Sequence, residues 1–348
     1  MQSSQGSALP ARAGAPAVQA HELTKTYPGD VTALSGMSLT VEAGTVFGLL
    51  GPNGAGKSTT VKILTTLARP DSGSATVAGH DALRHPDRVR RAIGVVAQKS
   101  GADPMATGRE NLQLQGRLYG LRGTDLTRRV DELLERFDLA EAGKRQVKGY
   151  SGGMQRRLDV ALGLVHRPEV LFLDEPTTGL DPEARTAMWD EIARLAGDEG
   201  LTILLTTHYL EEADRLAERI AIVDRGRVVV EGTPDALKGE LRGDAVHLEL
   251  RAQAQDADVL RAALAALPGV HEVLIDGRRI SVRTEDGAAA VPALLAALER
   301  AGAAVAAATV ARPSLDDVYL RYAGRRFSEA EAAHDTPHAE LVTAGGAR

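Results

Sequence analysis

Apolar residues at positions 18–238 form short runs that alternate with segments of helical periodicity. Four of the runs predict buried strands, which end at Leu50, Gln98, Asp174 and His208. Strands that alternate with helices predict an α/β fold, in which helices cover a mostly parallel sheet. Such sheets bind ligands at the carboxyl ends of their strands, and polar residues follow each of these ends. The pattern therefore predicts one site along this edge of the sheet.

Residues 240–325 follow a different pattern. Positions 246–250 alternate between apolar and polar residues, as in a half-buried strand. An amphipathic helix comes next, followed by a hairpin turned at Asp276-Gly277, a second helix and a last strand within 303–311. The order βαββαβ predicts a small ferredoxin-like α+β domain. No cluster of residues in this domain suggests catalysis.

The two ends of the chain lack periodicity. Small and polar residues dominate positions 1–17 and 326–348, which we expect to be a disordered leader and a disordered tail around domains at 18–238 and 240–325. The leader has no apolar core, so it does not resemble a secretory signal. Charged residues interrupt the most apolar stretch, 288–310, and no membrane span of about 20 residues is predicted. Any membrane association must therefore come through a partner.

Residues 51–58 read Gly-Pro-Asn-Gly-Ala-Gly-Lys-Ser and match the phosphate-binding pattern G-x-x-x-x-G-K-S/T. An apolar strand precedes them, and a helical pattern from Val61 to Leu67 follows, which is the context that this loop requires. The glycines let backbone N–H groups point at phosphates beside the positive end of the helix. Lys57 adds a positive charge and Ser58 a ligand for magnesium. The octapeptide predicts a nucleoside triphosphate as the ligand.

A second buried strand ends in two adjacent acids, Asp174 and Glu175. Adjacent carboxylates repel each other, and a magnesium ion with a triphosphate supplies the compensation. In that arrangement, Asp174 orients the ion through its water shell, and Glu175 polarises the attacking water. A solvated acidic turn after a strand is the alternative interpretation of the acids taken alone.

Residues 150–155, Tyr-Ser-Gly-Gly-Met-Gln, precede a helical pattern, which makes Ser151 a candidate N-cap. The segment offers a second anion site at a helix start, although by itself it indicates simple capping. One chain cannot easily bring two helix starts to the same γ-phosphate, whereas two chains placed head to tail can. The spacing suggests a dimer that holds the nucleotide between its subunits.

Net charge and composition narrow the class of protein. The net charge of −6 gives no attraction toward nucleic acid, which we therefore exclude as a main partner. The chain contains no cysteine, so disulfides, thiolate nucleophiles and cysteine-ligated metals are excluded.

With these motifs, residues 18–237 resemble the ATP-binding subunit of ABC transporters, although the signature reads Tyr-Ser-Gly-Gly-Met where that family more often has Leu-Ser-Gly-Gly-Gln. The resemblance implies a P-loop ABC ATPase domain with a helical signature lobe. It implies three catalytic residues, which are Glu175, His208 and Lys57. It implies an ATP site made by Tyr27, Gly51, Pro52, Asn53, Gly54, Ala55, Gly56, Lys57, Ser58 and Thr59. Its signature residues, acting in trans, are Ser151, Gly152, Gly153 and Gln155, its inter-subunit loop contains Asp181, and its magnesium ligands are Ser58, Gln98 and Asp174.

Residues 107–121 and 315–320 are similar to bacterial drug-exporter ATPases of the daunorubicin-resistance type, which carry a small C-terminal domain. The resemblance implies an ATPase with ATP and Mg²⁺ as cofactors. It also implies a homodimer that sandwiches ATP and drives an integral membrane permease, peripherally at the cytoplasmic face of the cell membrane. We expect export of a drug or antibiotic, and export of a lipid, peptide or polysaccharide stays open. We propose that the C-terminal domain stabilises the homodimer or regulates docking.

Other uses of the same cassette are less well supported. A cassette ATPase that acts on the ribosome usually has two cassettes in one chain, and only one is present here. One that acts on DNA carries a long coiled coil between loop and signature, for which Ser58 and Ser151 lie too close in sequence. Intact Glu175 and His208 disfavour a nucleotide sensor without turnover. Import instead of export is a variant within the transporter class.

Overall fold

The computed structural model describes residues 15–241, 243–253 and 256–325, together with 327, 328 and 330. Most of the predicted leader and tail lies outside the described residues. The chain divides into two compact units, Met1–Glu231 and Gly232–Arg348. The domain boundary predicted at 238–240 falls inside the second unit.

The first unit contains two sheets and a set of helices. Its strands are β1 (Val18–Tyr27), β2 (Val31–Val41), β3 (Val46–Leu50), β4 (Ser72–Val77), β5 (His80–Asp81), β6 (Ile93–Val96), β7 (Val170–Asp174), β8 (Thr202–Thr207), β9 (Arg219–Asp224) and β10 (Arg227–Gly232). Its helices are α1 (Lys57–Leu64), α2 (Pro86–Ala92), α3 (Gly108–Leu118), α4 (Gly123–Arg136), α5 (Gly152–Leu164), α6 (Pro182–Gly197) and α7 (Leu210–Leu216).

The larger sheet has the strand order β10-β9-β3-β8-β7-β6. The neighbouring strands β9, β3, β8, β7 and β6 pair in parallel, as predicted, so their carboxyl ends meet at one edge of the sheet. Leu50 pairs with Thr207, and Asp174 pairs with Thr206. This register places the phosphate loop, the two acids and the segment before His208 next to one another.

Successive side chains along each strand point to opposite faces of this sheet, and both faces are buried in a hydrophobic core. On β8, Ile203 and Leu205 pack into a core with the helices of the signature lobe, whereas Leu204 packs into a second core. The second core lies against an antiparallel sheet of order β2-β1-β4-β5. That sheet was not predicted, because its strands expose many residues and β1 pairs with partners on either side of the phosphate loop.

Helix α1 is shorter than its apolar pattern predicts. It ends at Leu64, and Thr66 adopts a left-handed backbone with φ of 65°. Leu67 consequently lies beyond the helix and is 74% exposed, so the helical pattern predicted through Leu67 extends too far.

The second unit consists of α8 (Pro234–Gly239), β11 (Asp244–Leu250), α9 (Ala257–Ala265), β12 (Val270–Asp276), β13 (Arg279–Thr284), α10 (Gly287–Arg300), β14 (Val305–Ala311) and α11 (Leu315–Ala323). Its antiparallel sheet has the order β12-β13-β11-β14, which confirms the predicted ferredoxin-like topology. Leu248, Val282 and Leu294 belong to its core. On α11, the buried Asp317 lies 3.2 Å from the buried Arg283 of β13, which ties this helix to the sheet.

Candidate active site

The phosphate loop connects β3 to α1 in a conformation that requires glycine. A Cβ atom on Gly51 would lie 2.4 Å from the carbonyl oxygen of Val223, which is closer than packing allows. Gly54 and Gly56 have φ of 75° and 108°, in the left-handed region that other residues rarely adopt. Gly56 caps α1 without a side chain, so the first amides of the helix are left for a ligand. The loop therefore has the backbone of an anion site.

Lys57 and Ser58 connect this loop to its surroundings. The buried Lys57 Nζ donates to the carbonyl oxygens of Gly51 at 2.6 Å and Pro52 at 3.0 Å, which holds its charge at the loop. Ser58 Oγ donates to Asp174 Oδ1 at 3.3 Å. The structure thus brings together a hydroxyl and a carboxylate, which are hard oxygen ligands of the kind that Mg²⁺ prefers.

Thr206 fixes the end of the acidic strand. Its hydroxyl donates to Asp174 Oδ1 at 2.6 Å, and its Oγ1 and carbonyl oxygen accept from the Glu175 amide at 3.1 and 3.2 Å. Glu175 has a φ of 48°, a left-handed conformation that costs about 1–3 kcal/mol and persists only where the surroundings hold it. Sequence reasoning did not single out Thr206, and the only signal was a hydroxyl at the end of an apolar run.

The Glu175 carboxylate is the centre of a cluster from three loops. Its Oε2 accepts from Gln98 Nε2 at 3.0 Å and from Thr178 Oγ1 at 3.2 Å. Its Oε1 lies 3.3 Å from His208 Nδ1. Three residues predicted from distant parts of the sequence therefore meet here, and the carboxylate is oriented on both oxygens.

This cluster determines the protonation of Glu175. The hydrogen bond with His208 holds the pKa of Glu175 below its ordinary value, burial opposes that effect, and the charges of His208 and Lys57 reinforce it. A carboxylate with a lowered pKa stays ionised at neutral pH and is protonated only on strong acidification. Glu175 is therefore in the form that can accept a proton from water.

We expect the pH dependence of hydrolysis to reflect this lowered pKa. Activity that requires ionised Glu175 is lost only as pH falls below the ordinary carboxyl range, about pH 4. His208→Ala removes the strongest lowering influence, so the acid limb of its residual activity moves to higher pH. Profiles of kcat against pH for both proteins measure the shift. A limb that stays in place or moves to lower pH would contradict the assigned cause.

The signature residues and Asp181 lie at helix starts. Ser151 Oγ accepts from the Met154 amide at 3.2 Å and caps α5, and Asp181 Oδ1 accepts from the Ala184 amide at 2.8 Å and caps α6. Ser151 and Gly152 are exposed. The roles of Gly152, Gly153, Gln155 and Asp181 stay predictions.

Tyr27 lies at the end of β1, half-buried, with the Lys25 ammonium 5.7 Å from its ring centre. This position leaves part of the ring accessible. Its predicted stacking on adenine stays a prediction.

The chain is similar to known proteins in both of its units. A family model described as "ABC transporter" matches residues 34–178, and one described as "ATP-binding protein DrrA1-3-like, C-terminal domain" matches 232–323. The chain is 50% identical to "Daunorubicin resistance ATP-binding protein DrrA3" of Streptomyces coeruleorubidus, over 87% of this chain and 95% of that protein. The chain belongs to the ABC transporter family of ATP-binding proteins. It is also 46% identical to "Doxorubicin resistance ATP-binding protein DrrA" of Mycobacterium tuberculosis, over 87% of this chain and 92% of that protein.

Solved ABC structures share the fold of the first unit. A dimeric ATP-binding cassette in a post-hydrolysis state, bound to ADP and Pi, superposes with a TM-score of 0.58 at 27% identity, and the match covers 62% of this chain and 98% of that one. Another, titled as the ATP-binding subunit of an ABC transporter, gives 0.58 at 29% identity, with 64% and 92% covered. The ABC ATPase fold predicted from the sequence is confirmed, and so is its ATPase activity class.

Proposed function

We propose that this ABC ATPase binds and hydrolyses ATP to power a membrane exporter of a drug or antibiotic. The observation that carries the proposal is similarity over both units to proteins named for resistance to such compounds. These include a daunorubicin-resistance protein and, at 34% identity over 90% of this chain, "Linearmycin resistance ATP-binding protein LnrL" of Bacillus subtilis. A "Nod factor export ATP-binding protein I" of Ralstonia nicotianae is 38% identical, which favours export of another class of compound as the second candidate.

In the proposed mechanism, the phosphate loop holds the triphosphate. Lys57 and the loop amides bind the β- and γ-phosphates, and the accessible ring of Tyr27 stacks on adenine. Ser58, Gln98 and Asp174 would hold Mg²⁺, for which the adjacent hydroxyl and carboxylate of Ser58 and Asp174 are a suitable start. A bound Mg²⁺ neutralises phosphate charge during transfer.

The residues clustered around Glu175 then catalyse hydrolysis of the bound triphosphate. Glu175 orients the attacking water and accepts its proton, since its carboxylate is ionised and fixed by Gln98 and Thr178. His208 stabilises charge on the transferred phosphoryl group. Because both groups are already oriented before reaction, little reorganisation is needed in the transition state.

We propose that two copies complete each site. The exposed N-terminus of α5 presents Ser151, Gly152 and Gly153 to the γ-phosphate bound by the other copy, with Gln155 beside them and Asp181 in the loop between the subunits. The dimeric state of the ADP-bound neighbour supports this arrangement. No helix within the described ranges is long and apolar enough to cross a membrane. We propose a separate integral permease as the partner, with this ATPase peripheral at its cytoplasmic face.

Export is tested by expressing the full chain with a candidate multi-span permease in a daunorubicin-sensitive host. We expect cells with both proteins to keep less daunorubicin than cells with the permease and the Glu175→Gln ATPase, because only the former hydrolyses ATP. Drug fluorescence in preloaded cells measures the efflux. Purification of the tagged chain from membranes should also recover the permease in comparable amount. Recovery of ribosomal or chromosomal proteins without a membrane protein would refute the proposal.

A further inference from the structure

Arg156, in the second turn of α5, makes a set of hydrogen bonds that the roles assigned above do not use. Its Nη1 donates to the carbonyl oxygen of Ala97 at 2.6 Å, its Nε to that of Pro176 at 2.7 Å, and its Nη2 to that of Asp174 at 3.1 Å. The side chain is buried, with 6% of the residue exposed. One guanidinium therefore holds main-chain atoms of two separate loops.

These carbonyls lie next to the residues proposed to carry out hydrolysis. Ala97 directly precedes Gln98, and Asp174 and Pro176 flank Glu175 on both sides. The donors of a guanidinium lie in one rigid plane, so they fix the separation of the groups that they bind. Glu175 has a left-handed backbone, which persists only where neighbouring atoms hold it. The three bonds supply such a constraint.

Asp159 holds the other end of the Gln98 loop from the same helix. Its Oδ1 accepts from Ser100 Oγ at 2.8 Å and from the Gly101 amide at 3.2 Å. Helix α5 begins directly after Ser151. A single helix thus carries the signature segment at its start and holds the loops that contain Gln98 and Glu175 in its own chain.

We infer that Arg156 is a positioning residue for ATP hydrolysis, which holds Gln98 and Glu175 in register and links them to the signature helix. The inference rests on the proposed role of Glu175 in hydrolysis. Arg156 acts through the main chain of the two loops and needs no contact with ATP. Its loss should therefore affect turnover more than nucleotide binding.

The adjacent Arg157 provides a matched control. It lies on the same helix with the same chemistry, but 31% of its side chain is exposed, and its Nη1 lies 3.4 Å from a carboxylate oxygen of the exposed Asp138. We expect Arg156→Lys to lower kcat about 10- to 100-fold, because a misplaced reacting group costs on this order. Its Kd for the fluorescent analogue TNP-ATP should stay within about threefold, since binding does not need the constraint. Arg157→Lys should match the wild type in both.

A double variant separates positioning from general destabilisation. If Arg156 acts through Glu175, Arg156→Lys lowers kcat no further in the Glu175→Gln background, whereas independent effects multiply. The inference is overturned if Arg156→Lys keeps more than about half of kcat, if kcat and TNP-ATP affinity fall together, or if the variant does not fold. Wild-type hydrolysis without drug efflux would refute the export proposal and leave this inference intact.

Discussion

Replacing Glu175 with glutamine is expected to slow ATP hydrolysis by about 10²- to 10⁴-fold while ATP binding stays intact. The amide has nearly the shape of the carboxylate and can still accept the hydrogen bond from Gln98 Nε2, but it cannot take a proton from water. ATP that is bound but not hydrolysed should then keep two copies together. Phosphate release measures turnover, and light scattering after gel filtration with ATP measures the dimer.

Glu183→Gln is the matched control for this experiment. Glu183 lies in the first turn of α6, exposed and outside the cluster, so its variant should hydrolyse ATP at the native rate. A Glu175→Gln protein that turns over normally would remove Glu175 from the mechanism. One that stops turnover but stays monomeric with ATP would leave the catalytic role standing and refute the proposed dimer.

Local pattern was sufficient to predict the parts of the site that depend on neighbouring residues. The phosphate loop needs glycine at fixed spacings after a strand, and the left-handed backbone at Gly54 and Gly56 shows why, since glycine adopts it without strain. The approach of Gln98 and His208 to Glu175 also followed, because parallel strands bring their carboxyl ends to one edge. The βαββαβ order of the sequence patterns likewise predicted the ferredoxin-like topology of the second unit.

Residues that act across the fold were not predictable in this way. Thr206 and Arg156 hold Asp174 and Glu175 through contacts between segments far apart in sequence, and no spacing rule describes such contacts. In the sequence, Arg156 is one arginine of an adjacent pair, and only the fold distinguishes its buried, hydrogen-bonded side chain from the partly exposed side chain of Arg157. The predicted extension of α1 to Leu67 was wrong for the opposite reason, since the backbone turn at Thr66 ends the helix despite the apolar pattern.

Removing the ammonium in Lys57→Ala is expected to weaken ATP binding itself, by about 10- to 100-fold, because a hydrogen bond to a charged group is worth roughly 1.5–3 kcal/mol. The buried Nζ also holds the carbonyls of Gly51 and Pro52, so its loss loosens the loop that presents the amides. Titration with TNP-ATP measures the change in Kd. Lys62→Ala, on the exposed side of α1, is the control and should bind as the wild type does.

A third variant, Lys57→Met, distinguishes the two causes of weakened binding. Methionine keeps most of the length of the side chain and fills the buried position without charge or donors. If charge on the phosphates dominates, Lys57→Met binds as weakly as Lys57→Ala. If filling the space under the loop dominates, Lys57→Met recovers most of the affinity. Unchanged affinity in both variants would mean that the triphosphate does not bind at this loop, and the proposed contacts of Ser58 and Glu175 with the nucleotide would fall with it.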